Sequence, residues 1–86
     1  MAFDKKTITV PAGAQVTVNY NNKDGGVYNG FSVYVDQTAQ QPVFVGDGII
    51  GPGNTTYSFS APVQKGTYFF RSDNHPNSMT GQFIVQ

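Results

Sequence analysis

The chain has 86 residues and a formal net charge of zero, and only 12% of its residues are charged. This length fits one domain, spanning residues 1–86, with a small hydrophobic core. The low charge excludes the basic patch of a nucleic-acid-binding protein. No apolar run approaches the length of a membrane helix and no signal peptide is recognised. We therefore expect no nucleic-acid or membrane partner, and a monomer.

Alternation of apolar and polar residues, with no sustained helical period, predicts strands along the whole chain. In Gln15–Tyr20 the alternation places Val16, Val18 and Tyr20 on one face. Polar turns are predicted at Asn21–Gly26 and Gln37–Gln41, and a long loop at Gly46–Asn54. The other predicted strands, in chain order, are Thr7–Val10, Phe31–Val35, Val43–Val45 (an edge strand), Thr55–Ser60, Thr67–Arg71 and Gln82–Gln86.

Two groups of residues on the predicted strands are each expected to share one face. One group is Phe31, Val33 and Val35, and the other is Phe83 and Val85 on the last strand. The ten glycines and five prolines are spread between the strands as turn signals. Short strands with turns every 8–12 residues predict an all-β fold, a Greek-key β-sandwich of about seven to eight strands.

The most distinctive segment runs from the strand Gly66-Thr67-Tyr68-Phe69-Phe70-Arg71 into a loop with His75 and Met79. This layout resembles the copper-binding hairpin of the cupredoxins, the blue-copper electron carriers, in a plastocyanin- or auracyanin-like form. The resemblance covers nearly the whole domain. Its other matching segments are Val10-Pro11-Ala12-Gly13, Phe31-Ser32-Val33-Tyr34, Ile50-Gly51-Pro52 and Phe59-Ser60-Ala61-Pro62.

The resemblance implies a cupredoxin-like sandwich and descent from a copper-binding electron carrier. It places the family's four copper ligands on Asn29, Ser72, His75 and Met79. Asn29 stands for the first histidine and Ser72 for the cysteine, and Gly30 replaces an asparagine that ties the ligand loops together. The resemblance also implies an exported or periplasmic protein, although the chain itself leaves the compartment unknown.

Type-1 copper needs a thiolate and two imidazoles with a weak axial thioether. Asn29 and Ser72 are neutral oxygen donors, so the predicted site lacks the thiolate and one imidazole. We expect a redox-silent domain, with copper absent or weakly bound. In the alternative to a metal role, His75 is a loop histidine bonded to a neighbour and Met79 fills the edge of the core.

A second hypothesis is a binding scaffold, natural or engineered. The departures from the family cluster at one end, in loops 26–30 and 72–79, whereas the framework keeps the family pattern. Tyrosine, serine, glycine and asparagine are typical of recognition loops on a rigid sandwich. A protein or small-molecule partner at these loops is therefore possible. The residues concerned are Tyr28, Asn29, Gly30, Ser72, Asn74, Asn77 and Ser78.

An enzyme is the third and least supported hypothesis. A catalytic triad would need Asp73 beside Ser72 and His75, but Asp73 should point away from Ser72 in a strand-to-loop turn. Asp24-Gly25-Gly26 and Asp47-Gly48 lack the alternating oxygen ligands of a calcium loop. The glycines of residues 46–53 are followed by neither Lys-Ser/Thr nor a helix, which excludes a phosphate loop. We expect no enzymatic activity.

Overall fold

The computed structural model describes residues 6–76 and 79–86. These residues form strands without any helix, so no helix could cross a membrane in this part of the chain. The strands, in chain order, are β1 (Thr7–Val10), β2 (Gln15–Asn22), β3 (Tyr28–Asn29), β4 (Ser32–Tyr34), β5 (Pro42–Val45), β6 (Ile49–Ile50), β7 (Gly53–Ser60), β8 (Gly66–Arg71) and β9 (Thr80–Val85).

The strands form two layers. One layer is a five-stranded sheet in the order β1-β9-β8-β4-β5, in which only the β1–β9 pair is parallel. The other contains the antiparallel pair β2–β7, and β3 pairs with β6 beside it. Strands that follow each other in sequence repeatedly change sheet, as in a Greek key. The predicted all-β Greek-key sandwich is confirmed.

Aromatic side chains fill the space between the layers. Phe59 of β7 lies 5.8 Å, between ring centroids, from Phe83 of β9, and it stacks on Phe44 of β5 at 4.6 Å. Phe31 contacts Phe70 of β8 at 5.4 Å. Each aromatic ring buries a large apolar area, which lets a short chain build a core. The core therefore joins β7 directly to β5 and β9 of the opposite sheet.

The alternation in the sequence correctly predicted which residues face this core. Val16 and Tyr20 are buried and Val18 is half-buried, and Phe83 and Val85 are both buried. Val35 is the exception, because it is 39% exposed. Strand β4 ends at Tyr34, and the Val35 N–H donates to Gln41 O in the following turn.

Two predicted loops contain strand residues. Strand β2 continues to Asn22, inside the predicted turn, because the Asn22 amide is buried and donates to Val27 O (2.8 Å) and Ile49 O (2.9 Å). The predicted loop 46–54 contains β6 and the first residues of β7. Strand β6 forms because it pairs with β3, a long-range contact that alternation within one segment cannot reveal.

Candidate metal centre

The four positions that the resemblance assigned to metal ligands lie together at one end of the sandwich. Asn29 is the last residue of β3, and Ser72 follows directly after β8. Both are fully buried, and Ser72 Oγ lies 3.5 Å from Asn29 Oδ1. Ser72 is hydrogen-bonded through its backbone to His75 and Met79 as well. The structure thus connects Ser72 to each of the other three residues.

Backbone hydrogen bonds close the loop that carries His75 and Met79. The His75 N–H donates to Ser72 O (3.1 Å), the Met79 N–H to His75 O (3.0 Å), and the Ser72 N–H to Met79 O (2.9 Å). The two ends of the loop therefore lie side by side, and Met79 is buried with 3% exposure. Asn77 and Ser78, which the sequence assigned to the recognition loop, lie outside the described residues.

The orientation of the Asn29 amide follows from its surroundings. Its Nδ2 lies 3.4 Å from both Asn22 Oδ1 and Asp24 Oδ2. A carboxylate accepts hydrogen bonds and an amide nitrogen donates them, so Nδ2 belongs on the Asp24 side. This leaves Oδ1 towards Ser72. Asn29, which the resemblance assigned to the first histidine, therefore presents a neutral carbonyl oxygen towards Ser72.

Ser72, which the resemblance assigned to the cysteine position, presents a neutral hydroxyl. Its Oγ accepts a hydrogen bond from the Gly30 N–H at 3.3 Å and donates towards Asn29 Oδ1. The 3.5 Å O···O separation is longer than a normal O–H···O bond of about 2.7–2.8 Å. The contact is therefore loose, and Asn29 and Ser72 face each other across a small gap.

His75 carries an unusual polar atom. Its Nε2 is buried and has no hydrogen-bond partner in the described part of the chain. Buried polar groups are normally hydrogen-bonded, and an exception points to a ligand, an ion or a water. The sequence-based alternative, in which His75 is hydrogen-bonded to a neighbour, stays a prediction, because Asn77 and Ser78 lie outside the described residues. His75 keeps one donor atom that suits a metal.

The complete set of donors does not fit type-1 copper. The chain has no cysteine, so the thiolate is missing, and His75 supplies the one imidazole. In residues 6–76 and 79–86, no three His, Cys, Asp or Glu side chains gather into a group that could hold a metal ion. The remaining donors are an amide oxygen, a hydroxyl and a thioether, none of which holds Cu(II) tightly.

Asp73, next to Ser72, fixes the start of the loop. Its carboxylate accepts hydrogen bonds from Ser32 Oγ (2.8 Å), Tyr34 Oη (2.7 Å) and Arg71 Nε (2.8 Å). Burial opposes ionisation of this carboxyl, but the three hydrogen bonds outweigh it and lower the pKa of Asp73. The predicted orientation of Asp73 away from Ser72 is confirmed.

Sequence reasoning did not identify this Asp73 cluster. Its signal was present in the alternation of β4, where Ser32 and Tyr34 share the face opposite Val33. Arg71 of β8 is paired with Ser32 in the sheet, so it shares that face. The Arg71 guanidinium also lies over the Tyr34 ring, 4.9 Å from its centroid.

Glycines allow the three loops at this end to pack closely. A Cβ on Gly30 would lie 3.1 Å from Gly48 Cα and 3.2 Å from Gly46 O. Backbone from residues 46–48 thus fills the space beside Gly30, the position that the resemblance assigned to an asparagine. A Cβ on Gly48 would run into the ring of Tyr28 and lie 2.9 Å from Asn74 Oδ1.

Tyr28 and Ile50 form an exposed pair beside the buried residues. They are directly opposite each other in the β3–β6 pair, and they are 52% and 60% exposed. Tyr28 was predicted to be exposed at a loop tip; it is exposed, but it lies in β3. Its ring covers Gly48, next to the Asn74 amide.

Similar structures are found among copper proteins, at low sequence identity. Auracyanin from the photosynthetic bacterium Roseiflexus castenholzii, reduced with dithionite, superposes with a TM-score of 0.85 at 22% identity, covering 99% of this chain and 87% of that one. A methionine-to-glutamine variant of amicyanin with Cu(I) gives a TM-score of 0.64 at 20% identity, covering 100% and 74%.

Rusticyanin from Thiobacillus ferrooxidans gives a TM-score of 0.67 at 21% identity, covering 93% of this chain and 60% of that one. This chain thus spans three fifths of the rusticyanin chain. No protein-family model and no curated protein matches the sequence. All three similar structures are cupredoxins, and the superpositions extend over both sheets. The chain therefore has the cupredoxin fold.

Proposed function

We propose that the chain is a domain of the copper electron-transfer lineage whose metal centre is redox-silent and binds metal weakly at most. The observation that carries this proposal is the Ser72 hydroxyl. The resemblance assigns Ser72 to the cysteine position, and its hydroxyl accepts the Gly30 N–H and faces a neutral amide oxygen of Asn29. No charged ligand is left to compensate a buried Cu(II) ion.

The buried, unpartnered Nε2 of His75 supports a residual weak affinity. Imidazole binds copper, zinc and nickel, but one imidazole with a thioether and two neutral oxygens gives little selectivity or strength. A copper electron carrier must keep its metal bound both as Cu(I) and as Cu(II). The donor set therefore supports no electron transfer through this site, and we propose no enzymatic role for it.

A titration with Cu(II), followed by calorimetry and absorption, tests this proposal. We expect no intense blue band and an affinity no tighter than micromolar, and His75→Ala should abolish whatever binding occurs. Substituting His75 also removes a partly buried side chain, so circular dichroism must show that the variant is folded. Submicromolar binding, or unchanged binding by His75→Ala, would contradict the proposal.

A second candidate function is recognition of a partner by the same end of the molecule. The supporting observation is the exposed Tyr28–Ile50 pair with the Asn74 amide beside it. Tyrosine gives a large amphipathic contact surface at low entropic cost, and the glycine-packed loops beneath it are closely held. A protein or a small molecule with an apolar face and a hydrogen-bonding edge would suit this surface.

Binding assays with candidate partners distinguish the two functions. Tyr28→Ala and Asn74→Ala should each weaken capture of a partner without lowering the melting temperature. Val63→Ala is a matched control, because Val63 is 85% exposed and adjoins Gly13 in the turn before β2. If both loop variants bind a partner as well as the Val63→Ala control does, this second function is excluded. By analogy with the family we propose that the protein is exported.

A further inference from the structure

One motif in the sequence lies outside the candidate metal centre. Asn54-Thr55-Thr56 has the form Asn-X-Ser/Thr in which X is not proline, and none of the chain's other asparagines begins such a triplet. This is the acceptor motif for N-linked glycosylation, in which the asparagine receives the glycan and the transferase recognises the hydroxyl of the third residue. Because so short a motif also occurs by chance, its surroundings in the fold decide what it can do.

Strand β7 presents the asparagine and the hydroxyl of this motif to solvent. Asn54 and Thr56 are exposed, and Thr55 between them is half-buried. Side chains alternate along a strand, so Asn54 and Thr56 lie on the outward face whereas Tyr57 is buried in the core. The Thr56 hydroxyl donates to Asn19 Oδ1 at 3.4 Å, which is long for such a bond. The two groups that define the motif are therefore accessible on the same face.

The outward face of β2 and β7 is hydrophilic and uncharged. The large apolar side chains that are exposed in the described part of the chain all lie outside these two strands. A glycan is bulky and hydrophilic, so on this face it covers no apolar surface and disturbs no core contact. The outward residues are all exposed amides or hydroxyls: Gln15, Thr17, Asn19, Asn21, Asn54, Thr56, Ser58 and Ser60.

An open depression adjoins the Asn54 side chain. Asn21 is directly opposite Asn54 in the β2–β7 pair, and Asn19 is opposite Thr56. Amides and hydroxyls both donate and accept hydrogen bonds, as the hydroxyls of a sugar ring require. The first sugar of a glycan on Asn54 therefore has space and polar neighbours beside it. The depression has a volume of about 360 Å³ and is lined by Asn19, Tyr20, Asn21, Asn54, Thr55 and Thr56.

We propose that Asn54 is an acceptor for N-linked glycosylation when the chain is exported. The reaction joins Asn54 Nδ2 to the anomeric carbon of an oligosaccharide carried on a lipid diphosphate. A C–N bond forms, the C–O bond to the diphosphate breaks, Nδ2 loses one proton and the lipid diphosphate leaves, with no change of oxidation state. A secretory compartment supplies the lipid-linked donor and the transferase. The inference rests on the proposed export and is independent of the metal centre.

Secretion of the full chain from a eukaryotic host, behind a supplied export signal, tests Asn54 as an acceptor. Mass spectrometry of the chain recovered from medium and cells should show one added glycan, and an amidase specific for N-linked glycans should remove it. The same chain made in the cytosol of that host should stay unmodified, because the donor is absent there. Since the signal is supplied, a negative result counts against Asn54 and not against the proposed export.

Four variants locate the glycan on Asn54. Asn54→Gln removes the acceptor and Thr56→Ala removes the recognised hydroxyl, so both should lose the whole mass shift. Thr56→Ser keeps a hydroxyl and should keep the shift. Asn21→Gln is the matched control, because Asn21 is exposed and opposite Asn54 but outside the motif, and it should be modified as wild type is. Equal melting temperatures of the cytosolic forms show that all variants fold alike.

A folded, secreted wild-type chain without the glycan overturns the proposal. So does a mass shift that persists in Asn54→Gln or resists the amidase, because the sugar is then attached to another residue. Modification of Thr56→Ala at the wild-type level is also an overturning result, since the motif is then not what the transferase recognises.

Discussion

The side-chain oxygens of Ser72 and Asn29 lie 3.5 Å apart although 43 residues separate them in the chain. Both residues are fully buried, and the Gly30 N–H donates to the same Ser72 oxygen. Ser72 therefore links the end of β8 to the end of β3. The link is polar and neutral, and it joins two of the positions that the resemblance assigned to metal ligands.

Removing the Ser72 hydroxyl should destabilise the fold. In Ser72→Ala the buried Gly30 N–H loses its acceptor, and an unsatisfied buried donor costs about 1–3 kcal/mol. Chemical denaturation of Ser72→Ala and of Ser58→Ala measures the difference in the free energy of unfolding. Ser58 is exposed on β7, so its variant should differ from wild type by less than about 0.5 kcal/mol. Equal stability of the two variants would contradict the role given to Ser72.

Restoring the family's asparagine at position 30 should be unfavourable in this chain. The new side chain would meet the backbone of Gly46 and Gly48, and backbone cannot move aside as a surface side chain can. Overpacking of this kind costs typically about 1–3 kcal/mol. Gly25→Asn is the control, because nothing lies within 4 Å of a Cβ at Gly25. A Gly30→Asn variant as stable as the control would show that the loops are not closely packed.

The Asp73 cluster predicts a loss of stability in acid. Hydrogen bonds lower the pKa of Asp73 below the ordinary aspartate value of 3.8, despite the opposing effect of burial. The stabilisation is therefore present above about pH 4 and is lost as the pH falls through the lower folded-state pKa. The side chain of Asp73 is 34% exposed, so solvent screening limits the effect to about 1 kcal/mol.

Unfolding measured from pH 7 to pH 2 in wild type and Asp73→Asn tests this expectation. The variant should be less stable than wild type at pH 7, and the two curves should converge as the pH falls through the lowered pKa of Asp73. A constant difference between them at every pH would mean that the charge of Asp73 contributes nothing. Tyr34→Phe serves as a further check, since it removes one of the three hydrogen bonds and should give a smaller change of the same sign.

Strands with strong alternation could be predicted from the sequence, and strands created by distant partners could not. The buried face of β2 could be predicted from the alternation that includes Val16, Val18 and Tyr20, because burial along a strand follows a period of two. Strand β6 has only Ile49 and Ile50 between glycines, and it exists through its pairing with Tyr28 and Asn29. No local pattern contains that information.

In the candidate site, too, some features could be predicted from the sequence, and the contacts between separate loops could not. The positions of Asn29, Ser72, His75 and Met79 followed from resemblance, and the structure joins them through Ser72. The packing of Gly48 under Tyr28, and the lack of a partner for His75 Nε2 among the described residues, depend on how separate loops meet. Such contacts involve residues far apart in the chain, and they cannot be predicted from a single sequence.

The most direct test of the altered metal centre is the absorption spectrum of Ser72→Cys/Asn29→His after addition of Cu(II). The double variant regains a thiolate and a second imidazole at positions that already adjoin each other. We predict an intense blue band in the double variant, weak or no colour in either single variant, and none in wild type. A folded double variant that stays colourless with Cu(II) would contradict the assignment of Asn29 and Ser72 to the former ligand positions.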